Sequence, residues 1–82
     1  MWVNTFYAPP SESELVNLSL VRHVYIANEA GGYRIVAEYA GGERVNLTDL
    51  ISPERAKILF ADICDGLLSG RGYVDLHTEM SD

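Results

Sequence analysis

Residues 31–48 read GGYRIVAEYAGGERVNLT, and this stretch decides the fold. Two glycine pairs enclose an alternating run, whose same-side members are Tyr33, Ile35, Ala37 and Tyr39. Such alternation is typical of a β-strand with one buried face. Glycine adopts a positive φ without steric cost, so Gly41-Gly42 predicts a two-residue hairpin loop between strands at 33–40 and 43–48.

Short runs of β-branched and aromatic residues predict additional strands on either side of this hairpin. These strands are expected at 2–7, 15–18, 21–27 and, as a brief last strand, 73–76. The apolar positions change parity between the second and third of them, which predicts a bulge or bend near Ser19-Leu20. Residues 77–82 are expected to form a frayed tail.

One helix is predicted over residues 53–69. Ser52 can cap its first turn, Pro53 fits the first helical position, and Glu54 suits the positive end of the helix dipole. An apolar stripe at helical spacing follows, formed by Ala56, Leu59, Phe60, Ile63 and Leu67. Gly70 is expected to end the helix.

Taken together, these elements predict one α+β domain over residues 1–82. We expect a small antiparallel β-sheet of about four or five strands, mostly a meander, with one C-terminal helix packed on one face. A single helix cannot cover both faces of such a sheet, so the opposite face must be solvated or bound to another chain.

Composition excludes several classes of protein. The formal net charge is −6, and the six basic residues are spread singly along the chain, so direct binding of nucleic acid is not expected. The single cysteine, Cys64, forms no disulfide within the chain. No apolar run reaches the ~20 residues of a membrane span, and no signal peptide is evident, which predicts a cytoplasmic protein without membrane contact.

Catalytic and cofactor signatures are weak throughout the sequence. His23 and His77 are far apart and have no neighbouring ligand at metal-binding spacing. No basic cluster lies near Cys64 to activate its thiol. We therefore predict no enzymatic activity, no catalytic or metal-ligating residues and no cofactor.

The outer face of the sheet is the first candidate for a binding surface. If Val24 and Ile26 point to the core, Tyr25 points away from it and shares the outer face with Arg34, Val36 and Arg44. Tyrosine and arginine are enriched at protein interfaces, although cross-strand Arg–Glu pairs on a solvated face would account for the same pattern.

Two further features are open to a binding interpretation. Asp62 and Asp65 stand in the later turns of the helix, where negative charge opposes the dipole, so they form a candidate negative patch or a tolerated surface charge. Trp2 lies near the N-terminus, where it can anchor a partner or close one end of a thin core.

The favoured hypothesis is a non-enzymatic protein–protein interaction module that forms a homo-oligomer through the exposed sheet face or an edge strand. The alternative is an acidic inhibitor acting through a negative patch, for example a phage-encoded antagonist of a nucleic-acid-handling host complex. A third class is a small-ligand sensor using His23 and Tyr25, or a small enzyme.

Overall fold

The computed structural model describes residues 1–6 and 14–76, so the predicted tail at 77–82 lies outside the described residues. In chain order its elements are β1 (Trp2–Asn4), β2 (Leu15–Asn17), β3 (Val21–Glu29), β4 (Gly32–Tyr39), β5 (Arg44–Asn46), α1 (Pro53–Ser69) and β6 (Tyr73–Asp75). The α+β class is therefore confirmed. Helix α1 covers the same residues as the sequence predicted.

The sheet arrangement differs from the single sheet of four or five strands that the sequence predicted. The six strands form two three-stranded sheets, with the orders β2-β1-β6 and β3-β4-β5. Strand β1 pairs antiparallel with β2 but parallel with β6, so Trp2 lies beside Tyr73. Only the second sheet is a meander, because the first brings together strands from the two ends of the described chain.

Backbone hydrogen bonds link the two sheets at their margins. The Phe6 N–H donates to the Leu47 carbonyl at 2.9 Å, and the Asp49 N–H donates to the Phe6 carbonyl at 2.9 Å. Tyr33 and Ile51 also exchange two hydrogen bonds, of 2.9 and 2.7 Å. These contacts extend the hydrogen bonding of β1 and β4 beyond their named partners.

The hairpin loops are distributed differently from the prediction. The two-residue loop is Ala30-Gly31, where Gly31 has a φ of +99° in the position that a type II turn reserves for glycine. The predicted Gly41-Gly42 loop instead has three residues, 40–42, closed by hydrogen bonds between Tyr39 and its partners Gly42 and Glu43. Only the second glycine of this pair has a positive φ, of +91°.

An irregularity in β3 lies close to the predicted bulge. The chain turns after β2, where the Val21 N–H donates to the Leu18 carbonyl at 3.1 Å. The β3–β4 register then shifts between Val21 and His23. Regular pairing of β3 therefore extends from His23 to Glu29, two residues shorter than the strand itself.

The helix has the ends that its sequence predicted. The Ser52 hydroxyl accepts a hydrogen bond from the Arg55 N–H at 3.3 Å, with Pro53 in the first turn. At the other end Gly70 has a left-handed φ of +76°, and its N–H donates to the Gly66 carbonyl. Both ends thus satisfy backbone groups that a helix leaves unpaired.

Helix α1 packs on β3, β4 and β6, and so it contacts both sheets rather than one face of a single sheet. The fully buried core side chains include Val3, Ile35, Leu47, Leu59, Ile63 and Leu76. The last turns bury less of the predicted stripe than expected, since Leu67 is exposed. Gly66 is buried instead, and a Cβ there would lie 3.0 Å from a methyl group of Val74, so glycine lets β6 approach the helix closely.

Glycine substitutions test the loop geometry. Gly41 and Gly42 both have open space where a Cβ would stand, but only Gly42 has a positive φ. We expect Gly42→Ala to lower the free energy of unfolding by about 1 kcal/mol, while Gly41→Ala is neutral or stabilises by up to about 1 kcal/mol. Urea unfolding measures both, and equal effects would contradict the three-residue loop.

Two isoleucines test the orientation of α1. Ile63 is fully buried, whereas Ile58 is 59% exposed on the same helix. Ile63→Ala is expected to lower the free energy of unfolding by about 2–5 kcal/mol, because it leaves a cavity in the core. Ile58→Ala is the matched control, with an expected change within about 0.5 kcal/mol. A reversed order in thermal or urea unfolding would rule out this orientation.

Candidate functional site

The outer face of the β3-β4-β5 sheet carries the four residues predicted for it. Register pairs Tyr25 with Val36 and His23 with Glu38, while Arg44 lies opposite Glu38 on β5. Strand alternation therefore brings these side chains to one face, as expected.

Burial and pairing change the character of this face. Val36 is only 5% exposed, so it is not the exposed apolar contact that the sequence suggested. Tyr25, its cross-strand partner, is half-buried, and its ring centroid lies 4.7 Å from that of His23. Large neighbours can cover a small side chain in the middle of a sheet face, which the sequence pattern did not reveal.

Charged side chains on this face are paired with one another. Arg44 Nε donates to Glu38 Oε2 at 3.1 Å, and His23 Nδ1 lies 3.9 Å from the other oxygen of Glu38. The hydrogen bond to Glu38, followed by the proximity of Tyr25, raises the pKa of Arg44 above its usual value. A second pair joins Arg34 to Glu29 at 3.9 Å. The charged side chains that define this face are therefore engaged in ion pairs within the chain.

The candidate acidic pair on α1 is also engaged within the chain. Arg71 Nη2 donates to Asp65 Oδ2 at 2.7 Å, and Arg71 Nη1 lies 3.5 Å from Asp62 Oδ1. Asp62 is the more buried of the two carboxylates. The left-handed Gly70 turns the chain so that Arg71 returns over the last turns, a contact that the sequence analysis missed.

The free edge of β3 gives a position to the edge strand that the sequence hypothesis left unspecified. Among residues 1–6 and 14–76, β4 is the only strand that pairs with β3. Strand β3 has nine residues, whereas β2, β5 and β6 at the other sheet margins have three each. The sequence predicted a strand here, but strand order is set by distant parts of the chain and cannot be read from local alternation.

The direction of the backbone groups of β3 follows from the partners of β4. Tyr33 bonds through its backbone to Ile51, and the Ile35 carbonyl accepts from the Leu47 N–H at 2.8 Å. The backbone N–H and C=O groups of the odd-numbered residues of β4 therefore point away from β3. Because this direction alternates along a strand, the backbone groups of the even-numbered residues of β4 point towards β3, where Val36 is opposite Tyr25.

The same alternation fixes which groups of β3 remain open. Tyr25 and Ala27 direct their N–H and C=O groups to β4, because each lies opposite an even-numbered residue of that strand. Val24, Ile26 and Asn28 therefore direct theirs to the free edge. This edge offers three residues whose donors and acceptors are available to another strand.

A second exposed surface lies on the outer side of β2-β1-β6. Trp2 is 45% exposed and Tyr73 is 49% exposed, side by side on parallel strands. Leu15 is exposed on the same side, where the Asn4 side chain donates to Asp75 at 3.0 Å. The sequence was compatible with two roles for Trp2, either contact with a partner or closure of one end of the core. The structure places Trp2 on the surface.

A shallow cleft lies between the last turns of α1 and the start of β3. Its volume is about 240 Å³, and it is lined by Leu18, Val21, Arg22, His23, Val24, Cys64 and Leu67. His23 thus reaches the cleft margin, while Tyr25 does not line it. Within residues 1–6 and 14–76 there is no group of three or more metal-ligating side chains, and no helix is long and apolar enough to cross a bilayer.

Comparison of the chain with protein-family models, with curated proteins and with solved structures gives no significant match.

The ion pairs of Arg71 are testable by a double-mutant cycle. Arg71→Ala is expected to lower the free energy of unfolding by about 1 kcal/mol, because the half-buried Asp62 loses its partner. Combining Arg71→Ala with Asp62→Ala is expected to reveal coupling of about 0.5–1 kcal/mol. The control cycle combines Asp65→Ala with Lys57→Ala, whose side chains share no contact. Additive changes in the free energy of unfolding in both cycles would contradict the pairing of Arg71 with Asp62.

Proposed function

We propose that this chain is a non-enzymatic protein-interaction module that self-associates through the free edge of β3. The occupant of the edge is β3 of a second copy. The observation that carries the proposal is the outward direction of the backbone groups of Val24, Ile26 and Asn28.

The length and composition of β3 favour association through this edge. Proteins protect edge strands by making them short, by charging them or by placing proline in them. The other marginal strands have three residues, but β3 has nine and contains no proline. Its charged residues, Arg22 and Glu29, stand near its two ends, so the uncharged centre is open to pairing.

Chain size supports the same proposal. A domain of 82 residues buries only ~60–65% of its unfolded surface, so its own core supplies limited stability. A second copy adds hydrogen bonds and side-chain contacts that stabilise the folded state by mass action. Pairing of an edge with its own copy also gives a closed two-fold assembly, which does not grow into a fibre.

The outer face of the β3-β4-β5 sheet has weaker support as the interface. Tyr25, Arg34, Val36 and Arg44 do share that face, but the valine is covered and both arginines have acidic neighbours. The acidic-inhibitor alternative likewise has weaker support, since Arg71 neutralises part of the patch at Asp62 and Asp65.

Proline substitution tests the edge directly. Proline is tolerated on an edge strand where the N–H faces solvent, so Asn28→Pro is expected to fold yet lose self-association. Sedimentation equilibrium from low to high micromolar concentration measures the mass. We expect the wild type to move from one chain towards two, while Asn28→Pro remains a single chain.

The matched control is Ala30→Pro, two residues further on. Position 30 is the first central residue of the type II turn, where proline is favoured, so this variant is expected to associate like the wild type. A wild type that stays monomeric throughout, or an Asn28→Pro variant that dimerises equally well, would refute the proposal.

A further inference from the structure

We infer that the two β3 strands pair antiparallel about a two-fold axis at Ile26, so that residues 23–29 of each copy pair along their whole length. This inference rests on the proposed self-association and specifies its geometry. It assigns an opposite residue to every position of the interface.

Symmetry limits the registers that are available. A two-fold axis normal to the sheet keeps each side chain on the same face, so only residues of equal parity can lie opposite one another. Even-numbered residues then exchange hydrogen bonds across the interface, as the open groups of Val24, Ile26 and Asn28 require. Axes at Val24, Tyr25 or Ile26 all satisfy this condition, so the register depends on other features.

The bulge and the turn select the axis. Regular pairing of β3 begins at His23, after the register shift, and ends at Glu29, before the two-residue turn. The midpoint of this regular segment is Ile26. An axis there uses the full segment and gives about six backbone hydrogen bonds, whereas an axis nearer the N-terminus runs into the bulge.

Polar pairing supports the same axis. Within one copy, Arg44, Glu38 and His23 lie in one row across the three strands of the sheet, with the Glu38 carboxylate in the middle. An axis at Ile26 places Glu29 of the second copy directly opposite His23, so a second carboxylate lies on the other side of the imidazole. An imidazole N–H can donate a hydrogen bond to that carboxylate, and symmetry makes this contact twice.

Side-chain size fits the same register. With the axis at Ile26, Tyr25 faces Ala27 of the second copy, so a large ring lies beside a methyl group on the outer face. With the axis at Tyr25, the two tyrosines face each other, while His23 faces Ala27 and gains no charged partner. The axis at Ile26 thus combines the longest pairing with a carboxylate partner for His23 and with complementary side-chain size.

Disulfide trapping tests the register. In a Cys64→Ala background, one chain carries Tyr25→Cys and a second carries Ala27→Cys. These positions form a non-hydrogen-bonded pair, whose close Cβ atoms favour a disulfide. We expect mild oxidation of the mixture to give a crosslinked heterodimer, with at least ~10-fold less crosslinking of either chain alone. Circular dichroism and thermal unfolding confirm beforehand that each variant is folded.

The outcomes separate the register from the proposed function. Efficient crosslinking of the Tyr25→Cys chain alone would place the axis at Tyr25, which overturns the register and leaves the edge interface standing. A dimer by mass that gives neither crosslink would overturn the register, and continued dimerisation of Asn28→Pro would overturn the edge as well. A monomeric wild type would overturn the proposed function and, with it, this inference.

A charge substitution gives a second measurement without cysteine. His23→Glu puts a like charge opposite Glu29 of the second copy at two symmetric places, so we expect the dimer Kd to rise about 2- to 30-fold. Lys57→Gln, on the exposed side of α1, lowers the net charge by the same one unit, so it is the control for net charge and is expected to change the Kd less. An equal effect of both variants would overturn the His23 contact.

Discussion

The double pairing of β1 is the constraint on which the rest of the fold depends. This strand bonds to β2 on one side and to β6 on the other, and its continuation at Phe6 bonds to the segment after β5. The described ends of the chain are tied together in this way. Among the described strands, β1, β2, β5 and β6 are thereby committed to other partners, which leaves β3, the longest of them, bonded to β4 on one side only.

The sequence correctly predicted the features that depend on residues only a few positions apart. Ser52, Pro53 and Gly70 mark the helix ends because capping and φ preferences act within a few residues. The hairpin position was equally clear from the glycine pairs. Which glycine takes a positive φ was not, since loop length depends on the register of the flanking strands.

The sequence pattern did not predict which distant strands pair with one another. Trp2 and Tyr73 are neighbours in space but are separated by nearly the whole chain, and alternation alone does not distinguish parallel from antiparallel partners. The helix likewise was expected to cover one sheet. Its buried glycine, Gly66, shows why it reaches the second sheet, because Val74 packs where a side chain would otherwise stand.

The candidate site was predicted in position but not in character. Alternation correctly put Tyr25, Arg34, Val36 and Arg44 on one face, yet it could not show that the valine is covered or that Glu29 and Glu38 engage the arginines. Arg71 near Asp62 was missed for the same reason. Ion pairs depend on side-chain reach in three dimensions, whereas the open edge depends on strand order.

Amide hydrogen exchange at two protein concentrations tests the open edge most directly. The amides of Tyr25 and Ala27 bond to β4 within one copy, so their protection is expected at both concentrations. The amides of Val24, Ile26 and Asn28 are expected to exchange rapidly in dilute protein and slowly in concentrated protein. Equal exchange of these three amides at both concentrations would contradict the account.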